Sequence, residues 1–370
     1  MKKTLLALAL VSAGFAAHAQ TVVKIGHAGP LTGPIAHFGK DGESGVRLAL
    51  EDANAKGLVI GGQTVKFELL SEDDQGDPRT ATTAAQRLTD SGVKGVVGHT
   101  TSGPSIPASR VYEQAGVPMV TPSATSPKLT QQNYKVTYRV IANDLQQGEA
   151  MAKYAVETLK AKKVAVIDDR TAYGQGLADS FADNIKKLGG EVVGREFTND
   201  KATDFTAILT KIKARSPAAI FYGGMDSQGA PMLRQLRQLG ISATFLGGDG
   251  NCTSEMLKLA GEAMNEKVFC TQAGIPLTQM PSGGEFQSRY RQRFNADVLV
   301  YAPYAYDAAT ALIEAMKIAD STDPAKYLPA MQKVDFQGVT GHIAFDAKGD
   351  IKVGGVSLYN YANGKWVPVK

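Results

Sequence analysis

The 370-residue chain has only two cysteines and one tryptophan, and neither sign of charge dominates, with 40 Lys and Arg against 36 Asp and Glu. The basic residues are scattered, with no stripe and no aromatic-interleaved cluster, so nucleic acid is excluded as an expected partner. No histidine among the five stands at a metal-ligand interval from a cysteine, and no metal site is expected. The first βα turn, Gly26-His-Ala-Gly29-Pro30-Leu-Thr-Gly33-Pro34, lacks G-x-G-x-x-G. Its two prolines also remove N–H groups that a pyrophosphate would need. Tyr173-Gly-Gln-Gly176-Leu-Ala-Asp179 stops short of the same fingerprint. A G-x-S-x-G elbow, an H-E-x-x-H pair and a P-loop are all missing. No cofactor is expected, and an exported α/β enzyme is the minor alternative. His99 reads as structural.

Long apolar runs are equally scarce. The one present follows Met1-Lys2-Lys3-Thr4, runs from Leu5 to Ala17, and ends at the small-x-small site Ala17-His18-Ala19. That is the layout of a cleavable export signal over residues 1–19. It is shorter than the roughly 20 apolar residues of a membrane anchor, and no Cys at the junction offers a lipid attachment point. The mature chain is therefore expected to be soluble and periplasmic. Without Lys2 and Lys3 it carries 38 basic and 36 acidic residues, close to neutral. In an oxidising compartment Cys252 and Cys270 are expected to form a structural disulfide; their spacing is not that of a C-x-x-C redox pair.

The rest of the chain is an alternation. Val22–Ala28, Val65–Leu70, Val93–Gly98, Pro118–Thr121 and Tyr138–Ile141 read as strands. Gly42–Ala55, Pro78–Ser91 and Ile106–Ala115 carry apolar residues at helical spacing. A βαβ series of this kind makes a mostly parallel sheet covered by helices. The pattern restarts at Val164 and repeats to Thr271, predicting a second sheet of similar size. Two helical stretches follow between Gly284 and Ala319, with a third at Tyr327–Lys333. The tail holds strands at Gly341–Phe345 and Val356–Tyr361, and Asn363-Gly364 is a hairpin signal. Helices returning after the second sheet imply that the chain crosses between lobes more than once.

Five segments then occur in the order and spacing of one family. They are Gly98-His-Thr-Thr-Ser102, Thr121-Pro-Ser-Ala-Thr125-Ser-Pro127, Tyr173-Gly-Gln-Gly176, Tyr222-Gly-Gly224 and Gly248-Asp249-Gly250. Over essentially its whole mature length the chain resembles the periplasmic leucine/isoleucine/valine-binding proteins, the substrate-binding components of branched-chain amino-acid ABC transporters. The resemblance implies an α/β, type I periplasmic binding protein fold, two Rossmann-like lobes joined by a three-crossover hinge. It places one lobe at residues 22–142 plus 275–345 and the other at 143–274 plus 346–370. It further implies a monomer that delivers its ligand to permease subunits in the inner membrane. Family members often carry a disulfide in the first lobe; Gly76 and Thr101 stand at those places here.

An amino acid presents a carboxylate, an ammonium and a side chain. The loop Thr100–Ser105 follows a strand and opens a helix, where free N–H groups and the positive dipole end favour an anion. Ser102 adds a hydroxyl. At the next strand end, the resemblance assigns the Ser123 carbonyl and Thr125 to the head group. Asp249 is the expected ammonium partner, in a position where the family usually has Glu. For the side chain the resemblance points to Tyr173 and Phe38, and to Met225 where the family often has Tyr. Leu299 and Tyr301 complete the expected wall. Relatives of this kind also bind amides, urea, aromatic acids or other amino acids, and such a ligand is the main alternative to a branched-chain one.

Overall fold

The computed structural model describes residues 20–369; the export signal expected at 1–19 lies outside the described residues. The chain begins with β1 (Thr21–Gly29), α1 (Ala36–Ala55), β2 (Val59–Ile60), β3 (Gln63–Asp73), α2 (Pro78–Asp90), β4 (Gly95–Gly98), α3 (Ser102–Ala115), β5 (Met119–Thr121) and β6 (Thr137–Arg139). These strands make one sheet in the order β2-β3-β1-β4-β5-β6, with β1, β3, β4, β5 and β6 parallel. Next come α4 (Asp144–Lys153), β7 (Lys163–Asp168), α5 (Ala172–Lys187), β8 (Glu191–Phe197), α6 (Thr206–Lys213), β9 (Ala219–Gly223), α7 (Asp226–Gln238), β10 (Thr244–Gly247), α8 (Ser254–Ala260) and β11 (Val268–Gln272). The chain then adds α9 (Gly283–Phe294) and α10 (Ala302–Ile318), a hairpin of β12 (Asp335–Gln337) and β13 (His342–Ala344), and finally β14 (Ser357–Ala362) and β15 (Lys365–Pro368). The second sheet runs β15-β14-β11-β10-β9-β7-β8.

The molecule is thus two α/β lobes, and the chain passes between them three times. It leaves the first sheet after β6, returns after β11, and leaves again after β13. The return is visible in the core: Tyr301, Tyr304, Ala308, Leu312 and Met316 of the α10 region pack with Val46, Leu50 and Val97 of the first lobe. Phe205, Phe245 and Leu233 centre a separate core in the second lobe. Gly45 lets α1 and α10 meet closely, since a Cβ there would lie 2.1 Å from the Ala302 carbonyl oxygen. Asn363 and Gly364 both take positive φ and turn the β14–β15 hairpin, as their type predicts.

Several elements lie beyond the expected runs. Helix α1 starts at Ala36 instead of Gly42, because Gly39 weakens the helical signal of its first turns. Helix α3 starts at Ser102 and tolerates Pro107 inside it. Helix α4 was not expected, although Asn143 and Gln146 form a reciprocal capping box at its start. Strands β2, β12 and β15 span only two to four residues and carry little pattern.

Cys252 and Cys270 form a disulfide with Cα atoms 5.4 Å apart. It fastens the turn after β10 to β11, wholly within the second lobe. The closed loop of 18 residues is worth about 3 kcal/mol in the chain-entropy description. Treatment with reductant should therefore lower the thermal midpoint without changing ligand preference; an unchanged midpoint would show that the bridge contributes nothing to stability.

Candidate ligand-binding site

Where the lobes face each other, Phe38, Thr100, Thr101, Ser102, Ser123, Tyr173, Met225, Asp249 and Tyr301 close tightly around a cavity of about 10 Å³. Each lobe contributes strand ends and helix starts. From the first lobe, Thr100 and Thr101 follow β4, and Ser102 opens α3. The first N–H groups of α3, at Ser102 and Gly103, have no carbonyl within the helix to pair with, which makes this end of the cavity suited to an anion.

The loop after β5 is fastened from several sides. Thr121 Oγ1 accepts from the Ser123 and Ala124 N–H groups, and Ser102 Oγ accepts from Ser126 N–H at 3.0 Å. The fully buried Arg139 donates to the Ala124 and Ser126 carbonyls at 3.1 and 2.8 Å. It also pairs with Asp350 on the third crossover, tying the binding loop to the hinge. This bracing presents Ser123, whose hydroxyl donates to the Thr100 carbonyl at 2.7 Å, to the cavity. Thr125 is not among the lining residues; it is buried behind the cavity, its carbonyl accepting Asp144 N–H at 2.9 Å.

Asp249 occupies the opposite wall, on the turn after β10, and is 2 % exposed. Three donors converge on its carboxylate. Gln147 Nε2 and Tyr173 Oη donate to Oδ1 at 2.9 and 2.8 Å, and Tyr301 Oη donates to Oδ2 at 2.6 Å. Gln147 is oriented in turn by Thr271 Oγ1, which donates to its carbonyl oxygen at 2.8 Å. Tyr173 Oη also accepts Gly250 N–H at 3.0 Å. The flanking glycines make room for these approaches: a Cβ at Gly248 would lie 2.6 Å from Tyr173 Oη, and one at Gly250 2.8 Å from Met225 Sδ.

Tyr301 belongs to the α10 segment, which packs in the first lobe, so its bond to Asp249 spans the cleft. Its position is set by Asp41 of α1. That buried carboxylate accepts the N–H groups of Leu299, Val300, Tyr301 and Ala302 at 2.7–3.1 Å. The same contacts remove Leu299 from the expected wall: its backbone is tied to Asp41, and its side chain packs against the first-lobe core outside the cavity. A second contact crosses the cleft where His37 Nε2 lies 2.9 Å from Asp226 Oδ2. His99, by contrast, is internal to the first lobe, fully buried between Asp74 and Tyr112.

Expectation and geometry agree in bringing together Phe38, Ser102, Ser123, Tyr173, Met225, Asp249 and Tyr301. Sequence reading missed Gln147, Asp144 and Asp41. The capping box at Asn143 marked the helix that carries Gln147, but nothing in the sequence marked Asp41 as a backbone anchor.

Residues 22–365 match the periplasmic binding protein family, and the chain belongs to that family. A protein of Pseudomonas aeruginosa described as an amino acid binding protein is 36% identical over 362 residues, 97% of this chain and 96% of its own length. The leucine-, isoleucine-, valine-, threonine- and alanine-binding protein of the same organism is 34% identical over 355 residues, covering 95% of this chain and 94% of its own length. Among solved structures, a leucine binding protein from Thermotoga maritima superposes with a TM-score of 0.87 at 31% identity, covering 94% of this chain and 98% of its own. The LivJ protein of Streptococcus pneumoniae, solved with isoleucine, gives a TM-score of 0.83 at 29% identity over 94% of this chain and all of its own. The two lobes are those of a type I periplasmic binding protein.

Behind the cavity, Asp144 is fully buried, and burial first, then the nearby Asp249 charge, push its carboxyl up to about 8. Burial likewise raises Asp169 and Asp307 to about 6. A carboxyl whose folded pKa is raised contributes stability that is fully present below its unfolded value of about 4 and lost as pH rises through the folded one. The thermal midpoint of ligand-free protein should therefore fall between about pH 4 and pH 8 through these groups, and Asp144→Asn should make the fall shallower. Equal slopes for the two proteins in a pH series of melts would contradict this assignment.

Proposed function

We propose that this chain is the periplasmic substrate-binding component of an ABC transporter, capturing an α-amino acid between its lobes and delivering it to the membrane permease. The observation that carries the reading is the Asp249 carboxylate, buried with donors that are all neutral: one amide and two phenols. A buried charge held only by neutral groups calls for a cation, and the ammonium of the ligand supplies it. Across the cavity, the α3 N-terminus and Ser102 receive the carboxylate, with Ser123 beside them. Phe38, Tyr173 and Met225 then bound the side chain. The names of the relatives favour leucine, isoleucine or valine as the ligand.

An aromatic acid, urea or a simple amide would bring no ammonium and leave Asp249 unpaired at a cost of a few kcal/mol. The same site makes and breaks no bond. Ligand that touches both lobes shifts an open–closed equilibrium, and the permease reads the closed shape. Residues 1–19 serve as the export signal, residues 22–142 plus 275–345 and 143–274 plus 346–370 move as the two lobes, and the working unit is a monomer.

A thermal-shift panel on protein stripped of ligand by unfolding and refolding tests this reading. A ligand at 1,000 times its dissociation constant stabilises the native state by about 4 kcal/mol. Leucine, isoleucine and valine should raise the midpoint, while benzoate, urea and acetamide should not; a shift with the acids or amides alone would overturn the head-group assignment. Asp249→Ala should abolish amino-acid binding in a protein that still melts cooperatively. Affinity retained within threefold would remove Asp249 from the site.

A further inference from the structure

The small cavity shares a wall with a larger space. Thr101, Tyr173 and Met225 line both, and the larger cavity, of about 530 Å³, lies between the lobes. The first-lobe wall of that larger space is mostly apolar, with Ile35, Pro104 and Ile106 beside Gln75, while its second-lobe wall is mostly polar and charged, with Asp169, Arg170, Asp200 and Lys201. Phe38 and Tyr301 line the small cavity but not the larger one; their rings pack 5.6 Å apart, and the Tyr301 phenol is engaged by Asp249.

Two features of the shared wall set it apart from ordinary helix starts. Thr101 is the N-cap residue of α3, where a Thr hydroxyl ordinarily accepts from the first turn. Here it caps nothing, and Thr101 Oγ1 is buried without a hydrogen-bond partner. Met225 occupies the N-cap position of α7, which favours Ser, Thr, Asp or Asn, and likewise provides no cap. A flexible thioether at that point yields to a passing chain more readily than a branched or ring side chain.

We propose that the ligand's side chain leaves the head-group cavity between Thr101, Tyr173 and Met225 and continues into the interlobe cavity. The site therefore takes α-amino acids with extended side chains, an apolar stem along Met225 and Tyr173 and a polar atom opposite the Thr101 hydroxyl. This deepens the amino-acid reading above and rests on it.

Calorimetric titration of ligand-stripped protein with alanine, 2-aminobutyrate, norvaline and norleucine tests the exit directly. Affinity should rise by about fourfold per added methylene through norleucine. Ile106→Trp, which narrows the larger cavity from the first-lobe side, should lower the norleucine-to-alanine affinity ratio at least tenfold. Thr101→Val should lower the glutamine-to-norleucine ratio by about fivefold or more. An affinity that peaks at 2-aminobutyrate or norvaline and falls tenfold at norleucine would show a closed pocket and overturn the proposal while leaving amino-acid binding intact. An unchanged norleucine-to-alanine ratio in Ile106→Trp would overturn it as well. Failure of every member of the series, alanine included, to bind a cooperatively melting protein would instead remove the amino-acid reading, and the proposal with it.

Discussion

One buried carboxylate organises the space between the lobes. Asp249 is supplied with hydrogen bonds from α4 through Gln147, from α5 through Tyr173, and from across the cleft through Tyr301. Three neutral donors soften the desolvation of a full charge without neutralising it. What remains is an attraction for a cation small enough to enter. The Cys252–Cys270 bridge sits directly after this turn and holds it to β11, so the carboxylate is carried on a fastened loop. The elements behind it, from the capping box of α4 to the Asp41 anchor of α10, serve to aim its donors.

The same arrangement links recognition to closure. Tyr301 and His37 reach Asp249 and Asp226 from the first lobe only when the lobes are together. An open molecule would lose the Tyr301 donor and expose the carboxylate to water, which solvates it well. A ligand shifts the balance only by its differential affinity for the closed form. In the proposed reading, an ammonium at Asp249 and a carboxylate at the α3 start would give an amino acid contacts with both lobes at once, and those contacts would be the differential. The hinge side is braced separately, where Arg139 joins the loop after β5 to Asp350 on the third crossover.

Much of this architecture was legible in the residues. Apolar β-branched runs such as Val164–Ile167 and Ala218–Tyr222 fall on strands Lys163–Asp168 and Ala219–Gly223, because central parallel strands are buried on both faces and need no other signal. Helix α4 escaped because the first turns of its inward face are polar: Gln147 and Asp144 are buried for what they bond, and only Met151 and Ala152 add apolar burial. The turns of α1 before Gly42 went unread, and tertiary contact explains the glycines on this helix, with Pro30 and Ala302 pressed against Gly39 and Gly45. At the site, Asp249 between two glycines was visible as a carboxylate at a strand end. Leu299 was expected as part of the apolar side-chain wall, yet four backbone N–H groups gathered by Asp41 fix this segment, and Tyr301, not Leu299, lines the cavity. Thr125 was displaced from the lining for a comparable reason, since its loop is folded back by Arg139 and Ser102.

The claim that an ammonium completes the Asp249 site is tested most directly by comparing leucine with 4-methylpentanoate, the same skeleton without its amino group. Both would be titrated calorimetrically into ligand-stripped protein at neutral pH. Loss of a charged partner from a buried carboxylate costs about 3–5 kcal/mol, so the deaminated acid should bind at least a hundredfold more weakly. Affinities within fivefold of each other would mean that Asp249 does not hold the ligand's ammonium, and the account of recognition and closure would fail with it.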